Sequence, residues 1–253
     1  MKISLLLEQN FLKTRFAMLE ITRNANQPVW CPLYEDPPYR YTNVEKVSVV
    51  IEVEREIIEH ILPAPLKPID GENRIVVYLA TAEAVTPIGV YQHCGIEVPC
   101  EFEGKLGGCV VYQGVSTEAA LCSGREIWGF PKKLITAEFK QDGARFAGYA
   151  ERERSKLISV TAQWDPEKTV EGPTLFPRLL VRVIPRGDKP GIDMRKVFYV
   201  KSELTIKESL CGDVQLDLGG TVRDTWYKLA PKKILGAIYA KLDLVLPYGE
   251  EVG

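Results

Sequence analysis

The chain has 253 residues, 45% of them hydrophobic and 26% charged, with a formal net charge of −2 at pH 7. This is the composition of a soluble globular protein, with length for one large β domain. The slightly acidic balance argues against nucleic acid as a partner, which needs a basic stripe, and two histidines do not support a histidine-rich metal centre.

Residues 1–28 read as an amphipathic helical arm or tail, with Leu6, Phe11, Phe16 and Leu19 among charges and a break at Asn24-Ala25-Asn26-Gln27-Pro28. Glu8, Lys13 and Arg15 interrupt the first apolar run too early for a signal peptide, and no stretch has the length of a membrane span. The six cysteines contain no CxxC pair, which fits reduced thiols in the cytoplasm. Residues 29–253 are expected to form a single domain.

Trp30 to Arg40 is rich in proline and aromatics and reads as extended chain. Val47 to Val53 is strand-like, and Glu54 to Leu62 has helical spacing, with His60 on its charged face. Arg74 to Ala84 is a second strand. Val85 to Pro99 reads as an irregular connection or hairpin, Gly104 to Gly108 as a turn and Cys109 to Tyr112 as a short strand. Ser116 or Thr117 can cap a helix running toward Gly124. Beyond Leu134 the pattern is strand-turn-strand: Thr136 to Lys140, Ala144 to Glu151, Lys156 to Trp164, Leu179 to Ile184, Val197 to Thr205, Val214 to Val222 and Ile238 to Leu246. The fold class is therefore mostly β (α+β) with a few short helices.

The chemistry concentrates in Gly124-Arg125-Glu126-Ile127-Trp128-Gly129-Phe130-Pro131-Lys132-Lys133-Leu134. Two adjacent lysines repel, and burial disfavours their charged forms, so both effects lower a lysine pKa. A lysine neutral near pH 7 can attack a carbonyl and form a Schiff base, whose iminium draws electrons from a neighbouring bond. The bland reading of a Lys-Lys pair is a solvated surface doublet.

The whole segment resembles the active-site segment of the acetoacetate decarboxylase family, itself a standard example of a lysine activated by desolvation or a cationic neighbour. The resemblance extends through Pro38-Tyr39-Arg40-Tyr41, Leu62-Pro63-Ala64-Pro65-Leu66, Phe176-Pro177 to Ile184-Pro185 and Asp243-Leu244-Val245-Leu246-Pro247, covering roughly residues 37–248. It implies an antiparallel β-barrel-like core, a helix segment carrying the lysine to its mouth, homo-oligomeric assembly and a small keto acid as substrate, with no cofactor. It further implies that Lys132 forms the imine and that Lys133 supplies the neighbouring charge.

Counting back without gaps, the family's pocket glutamate falls on His93 and its arginine on Val44, with Lys46 and Arg40 the nearest cations. His93 has two readings, a general acid or base with a suitable pKa or a loop histidine satisfied by backbone. Glu97 is the other stand-in for the glutamate. Arg125 reads as a substrate contact or half of an ion pair with Glu126, and Glu126 as orienting Lys132 or a water. Trp128 and Phe130 read as pocket wall or core. The leading expectation is a β-keto-acid decarboxylase. Aldol, retro-aldol or dehydration chemistry through the same lysine is the alternative, and a non-catalytic ligand-binding barrel the third.

Overall fold

Along Tyr39–Glu52 (β1), Val47, Val49 and Ile51 join one apolar cluster while Val44 and Val50 join another. Arg74–Thr86 (β3) repeats the alternation, with Ile75, Val77 and Leu79 on one side and Val76, Tyr78 and Ala80 on the other. Strands apolar on both faces must be covered on both, and that requirement shapes the molecule.

The computed structural model describes residues 26–253. The N-terminal arm expected at residues 1–28 lies, except for its last three residues, outside the described residues. The chain divides after Asp36 into two units, and Pro37–Gly253 forms the larger one. In residues 26–36 the Asn26 side chain bonds the Leu33 amide and the Tyr34 carbonyl at 2.9 Å each.

The larger unit is one extended sheet. Its further strands are Lys67–Pro68 (β2), His93–Phe102 (β4), Lys105–Val115 (β5), Lys132–Leu134 (β6), Thr136–Asp142 (β7), Arg145–Arg152 (β8), Ser155–Trp164 (β9), Arg178–Pro185 (β10), Ile192–Val200 (β11), Glu203–Leu218 (β12), Lys233–Leu246 (β13) and Glu250–Glu251 (β14). They run in the order β14-β11-β10-β5-β4-β3-β1-β13-β12-β9-β8-β7, with β2 on β4 and β6 on β5. The path ends at two edges, so the sheet is not a closed barrel. It curls instead, bringing Phe146, Ile158 and Val160 into the cluster that holds Val49 and Val77.

Short helices at Arg55–Ile61 and Glu118–Ser123 fall where the spacing predicts them. Of the two alternatives for Val85 to Pro99 the hairpin is the one found, since β4 begins at His93 and pairs antiparallel with β3 and with β5. One expectation is corrected. The glycines at 107 and 108 lie within β5 rather than in a turn. A Cβ there would come within 2.3 Å of the Pro177 carbonyl and 2.4 Å of the Leu175 carbonyl, so close backbone approach requires them.

Candidate active site

The lysines are carried by a strand and not by the expected helix. After Glu118–Ser123 the chain makes a π-helical turn, Gly124–Trp128, in which the Gly129 amide bonds the Gly124 carbonyl at 3.0 Å. Gly129 then turns left-handed at φ 86°, where a side chain is strained. Pro131 has no amide hydrogen to continue a helix. The chain leaves as β6, parallel to β5, with Lys132 opposite Gln113.

Strand alternation separates the lysines. Lys132 is 5% exposed. Its Nζ donates to the Ala120 carbonyl at 2.8 Å and lies 5.4 Å from the centre of the Phe130 ring and 5.5 Å from that of Tyr91. Burial lowers its pKa from 10.5 to about 7. Lys133 points off the opposite face, where its Nζ donates to the Asp224 carboxylate and the Arg223 carbonyl at 2.6 Å each. The expectation that Lys133 depresses the Lys132 pKa is therefore corrected, since a dry pocket suffices. Lys133→Gln is expected to leave the pH midpoint of Lys132 within about half a unit while lowering stability by about 1–3 kcal/mol, because the buried Asp224 loses a donor. The pH dependence of amine trapping and a urea titration measure the two.

Lys132 opens into a cavity of about 190 Å³. Its floor is one face of the sheet, and strand register explains why. Ser48, Tyr78, Gly95, Gln113 and Lys132 form one row across β1, β3, β4, β5 and β6. Gly95 has a steric reason in that row, since a Cβ would stand 2.5 Å from the Tyr78 ring lying over it. The Tyr78 hydroxyl accepts from Gln113 Nε2 at 2.8 Å and stands 3.4 Å from His93 Nδ1. Val44, Val110, Phe130, Leu242, Leu244 and Leu246 make the walls largely apolar.

His93 does line this cavity, but not as a group with an ordinary pKa. Burial first, then the Lys132, Lys46 and Arg178 cations, push it down to about 3 against the opposing pull of Glu97. It is neutral at physiological pH, able to accept or relay a proton but not to serve as a standing imidazolium.

Glu97, 2% exposed, accepts from Lys46 Nζ at 2.8 Å and from Arg178 Nη2 at 2.5 Å. Burial raises its pKa, yet the two cations and their hydrogen bonds outweigh that and keep it below the usual carboxylate value. Ionised and held through both oxygens, it braces the cations instead of donating a proton.

The remaining motif residues lie outside the cavity. Arg125 donates to the Lys132 carbonyl at 3.2 Å and lines a separate hollow behind Phe130-Pro131. Glu126 is on the exposed side, its carbonyl accepting from Arg182 at 3.0 Å. Trp128 is buried, bonded to the Pro247 carbonyl at 2.8 Å and edge-on to Tyr39, which pins the π-turn to the end of β13. Tyr41, Tyr78, Tyr91, Gln113 and Arg178 also line the cavity, and none of them is among the site residues expected from the sequence. The available signal was a polar residue inside an apolar strand, as Gln113 is between Cys109 and Val115. Among the described residues, no three His, Cys, Asp or Glu side chains converge as a metal site.

Fold and site together define a class: a mostly β protein with an amine poised near neutrality at the wall of an apolar cavity. The profile of acetoacetate decarboxylase (ADC) matches residues 28–252, and the chain belongs to that family. It is 28% identical over 229 residues to acetoacetate decarboxylase 3 of Mesorhizobium japonicum, covering 89% of each chain. Its fold is similar to that of acetoacetate decarboxylase from Legionella pneumophila, with a TM-score of 0.79, 24% identity and coverage of 93% and 95% of the two chains. It is also similar to that of the enduracididine biosynthesis enzyme MppR, solved with the condensation product of pyruvate and imidazole 4-carboxaldehyde, at a TM-score of 0.79, 18% identity and coverage of 90% and 95%. Among the described residues, no helix is long and apolar enough to cross a membrane.

Proposed function

We propose that this chain is a Schiff-base-forming carbon–carbon lyase that decarboxylates a small β-keto acid through Lys132. The observation that carries the reading is the Lys132 amine, dry and with a pKa of about 7, opening into a cavity. An amine with that pKa is about half neutral at pH 7 and attacks a keto carbon without a separate base. The keto oxygen leaves as water, giving an iminium. The carbon–carbon electrons then flow into the iminium as CO2 departs, leaving an enamine. Protonation at carbon and hydrolysis return the free amine and a ketone. Neutral His93, beside Tyr78 and Gln113 in the cavity lining, is the relay for these protons.

A second reading keeps Lys132 and changes the bond broken, to aldol, retro-aldol or dehydration chemistry on a pyruvate-like acid. It is favoured by the pyruvate-derived ligand of MppR, and by the ungapped count that puts His93 and Val44 at the places of the family's glutamate and arginine, Glu97 being the other stand-in for the glutamate. Borohydride reduction with acetoacetate, pyruvate, oxaloacetate and an aryl β-keto acid, followed by intact mass, separates the readings. An adduct lacking CO2 on the Lys132 peptide supports the decarboxylase, whereas an intact pyruvate adduct supports the aldolase type. The absence of any adduct sinks both and leaves the binding-module reading.

A further inference from the structure

The polar end of the cavity holds two cations against one anion. Glu97 is shared between Arg178 and Lys46, and both its oxygens are engaged. Arg178 is 6% exposed, and its guanidinium stacks on the Phe176 ring at 4.0 Å. The side chain lines the cavity, and its Nη1 is buried without a hydrogen-bond partner among the described residues. A buried, charged donor left unmatched is costly, and an acceptor arriving from the cavity would remove that cost. With one excess positive charge, the acceptor that fits is an anion, and the Nη1 edge with the neighbouring Lys46 ammonium suits a carboxylate.

The position of this pair matters as much as its charge. Arg178 is opposite Gly108 and Lys132 opposite Gln113, so the two side chains start roughly 16 Å apart along β5, at about 3.3 Å per residue. Both side chains line one cavity but are anchored at different places, Lys132 on the Ala120 carbonyl and Arg178 on Glu97 and the Phe176 ring. A carboxylate held by Arg178 is therefore remote from the imine carbon. A guanidinium also stabilises a carboxylate more than the neutral CO2 it would become, so it opposes loss of the group it binds.

We propose that Arg178 and Lys46, braced by Glu97, form a docking site for a carboxylate that the substrate retains through the reaction. Resting on the Lys132 reading, this narrows the substrate class to keto acids with a carboxylate distant from the reacting carbonyl. For decarboxylation these are keto dicarboxylates, which lose one carboxylate and keep the other. Glu97 and Phe176 are positioning residues for the guanidinium.

The test uses Lys132→Met, which cannot form an imine, so docking is measured apart from chemistry. Calorimetry with butyrate and with its neutral isostere butyramide is expected to show butyrate bound at least tenfold more tightly. Adding Arg178→Gln is expected to abolish that preference. Should the double variant not fold, the guanidinium nitrogen resonances of Arg178 in Lys132→Met report directly, and they are expected to shift with butyrate and not with butyramide. Equal binding of the two probes, butyrate preference surviving Arg178→Gln, or unmoved Arg178 resonances would each overturn the proposal. Borohydride trapping in the unsubstituted protein tests the imine separately, so the two failures are distinguishable.

Discussion

Lys132→Met is expected to reduce turnover by on the order of 10⁴-fold or more, to eliminate the borohydride adduct, and to make the fold more stable at neutral pH. The first two effects follow from removing the nucleophile. The third follows from its burial. An unfolded Lys132 takes up its proton below about pH 10.5, whereas the folded one does so only below about 7. Between those values the unfolded chain holds the extra proton, so wild-type stability rises with pH across that window. Below it both states are protonated and the full penalty of a buried cation is present. Methionine has similar volume and no charge, so the variant should gain about 2–4 kcal/mol at pH 7, at about 1.4 kcal/mol per pH unit, less the hydrogen bond to Ala120. The gain should fade toward pH 10.5. Urea titrations at pH 6, 7, 9 and 10 measure it. A destabilised variant at pH 7 would mean that Lys132 is not held dry.

Gly124→Ala is expected to lower activity about 10²-fold with little change in the unfolding midpoint. A Cβ at position 124 would lie 2.4 Å from Lys132 Cε and 2.6 Å from its Cδ and Nζ. The glycine of the Gly-Arg-Glu motif is thus the bed on which the lysine side chain lies. That side chain is flexible, so it can swing aside without displacing backbone, and the fold survives. The amine, however, leaves its bond to Ala120 and its place beside Phe130 and Tyr91. A displacement of about 1 Å is enough to cost such a factor in a reaction needing fixed approach geometry. Circular dichroism on the variant, with trapping rates beside it, separates a misplaced amine from a misfolded chain.

These two expectations show different kinds of legibility. Lys132 stood out in the sequence because its motif is contiguous, from Gly124 to Leu134. The strands Arg74–Thr86, Arg145–Arg152 and Ser155–Trp164 were readable because β-branched and aromatic residues alternate along them. Strand His93–Phe102 was harder to read because it contains Gly95 and Pro99, which locally signal a turn. Their place in the sheet, Gly95 under the Tyr78 ring and Pro99 opposite Gly108, overrides that signal.

The mostly β class, the lysine and the family are legible along the chain, because hydrophobic period and a contiguous motif are local properties. What surrounds the amine depends on long-range strand pairing. A one-residue step along β6 sends Lys132 inward and Lys133 outward to Asp224, so the doublet that looked like an electrostatic pair is divided between two faces. The cavity's ionised end joins Lys46, Glu97 and Arg178 from strands far apart in the chain, and the same surroundings keep His93 neutral. Burial and the company of charges set those proton affinities, and both depend on which strands the fold makes neighbours.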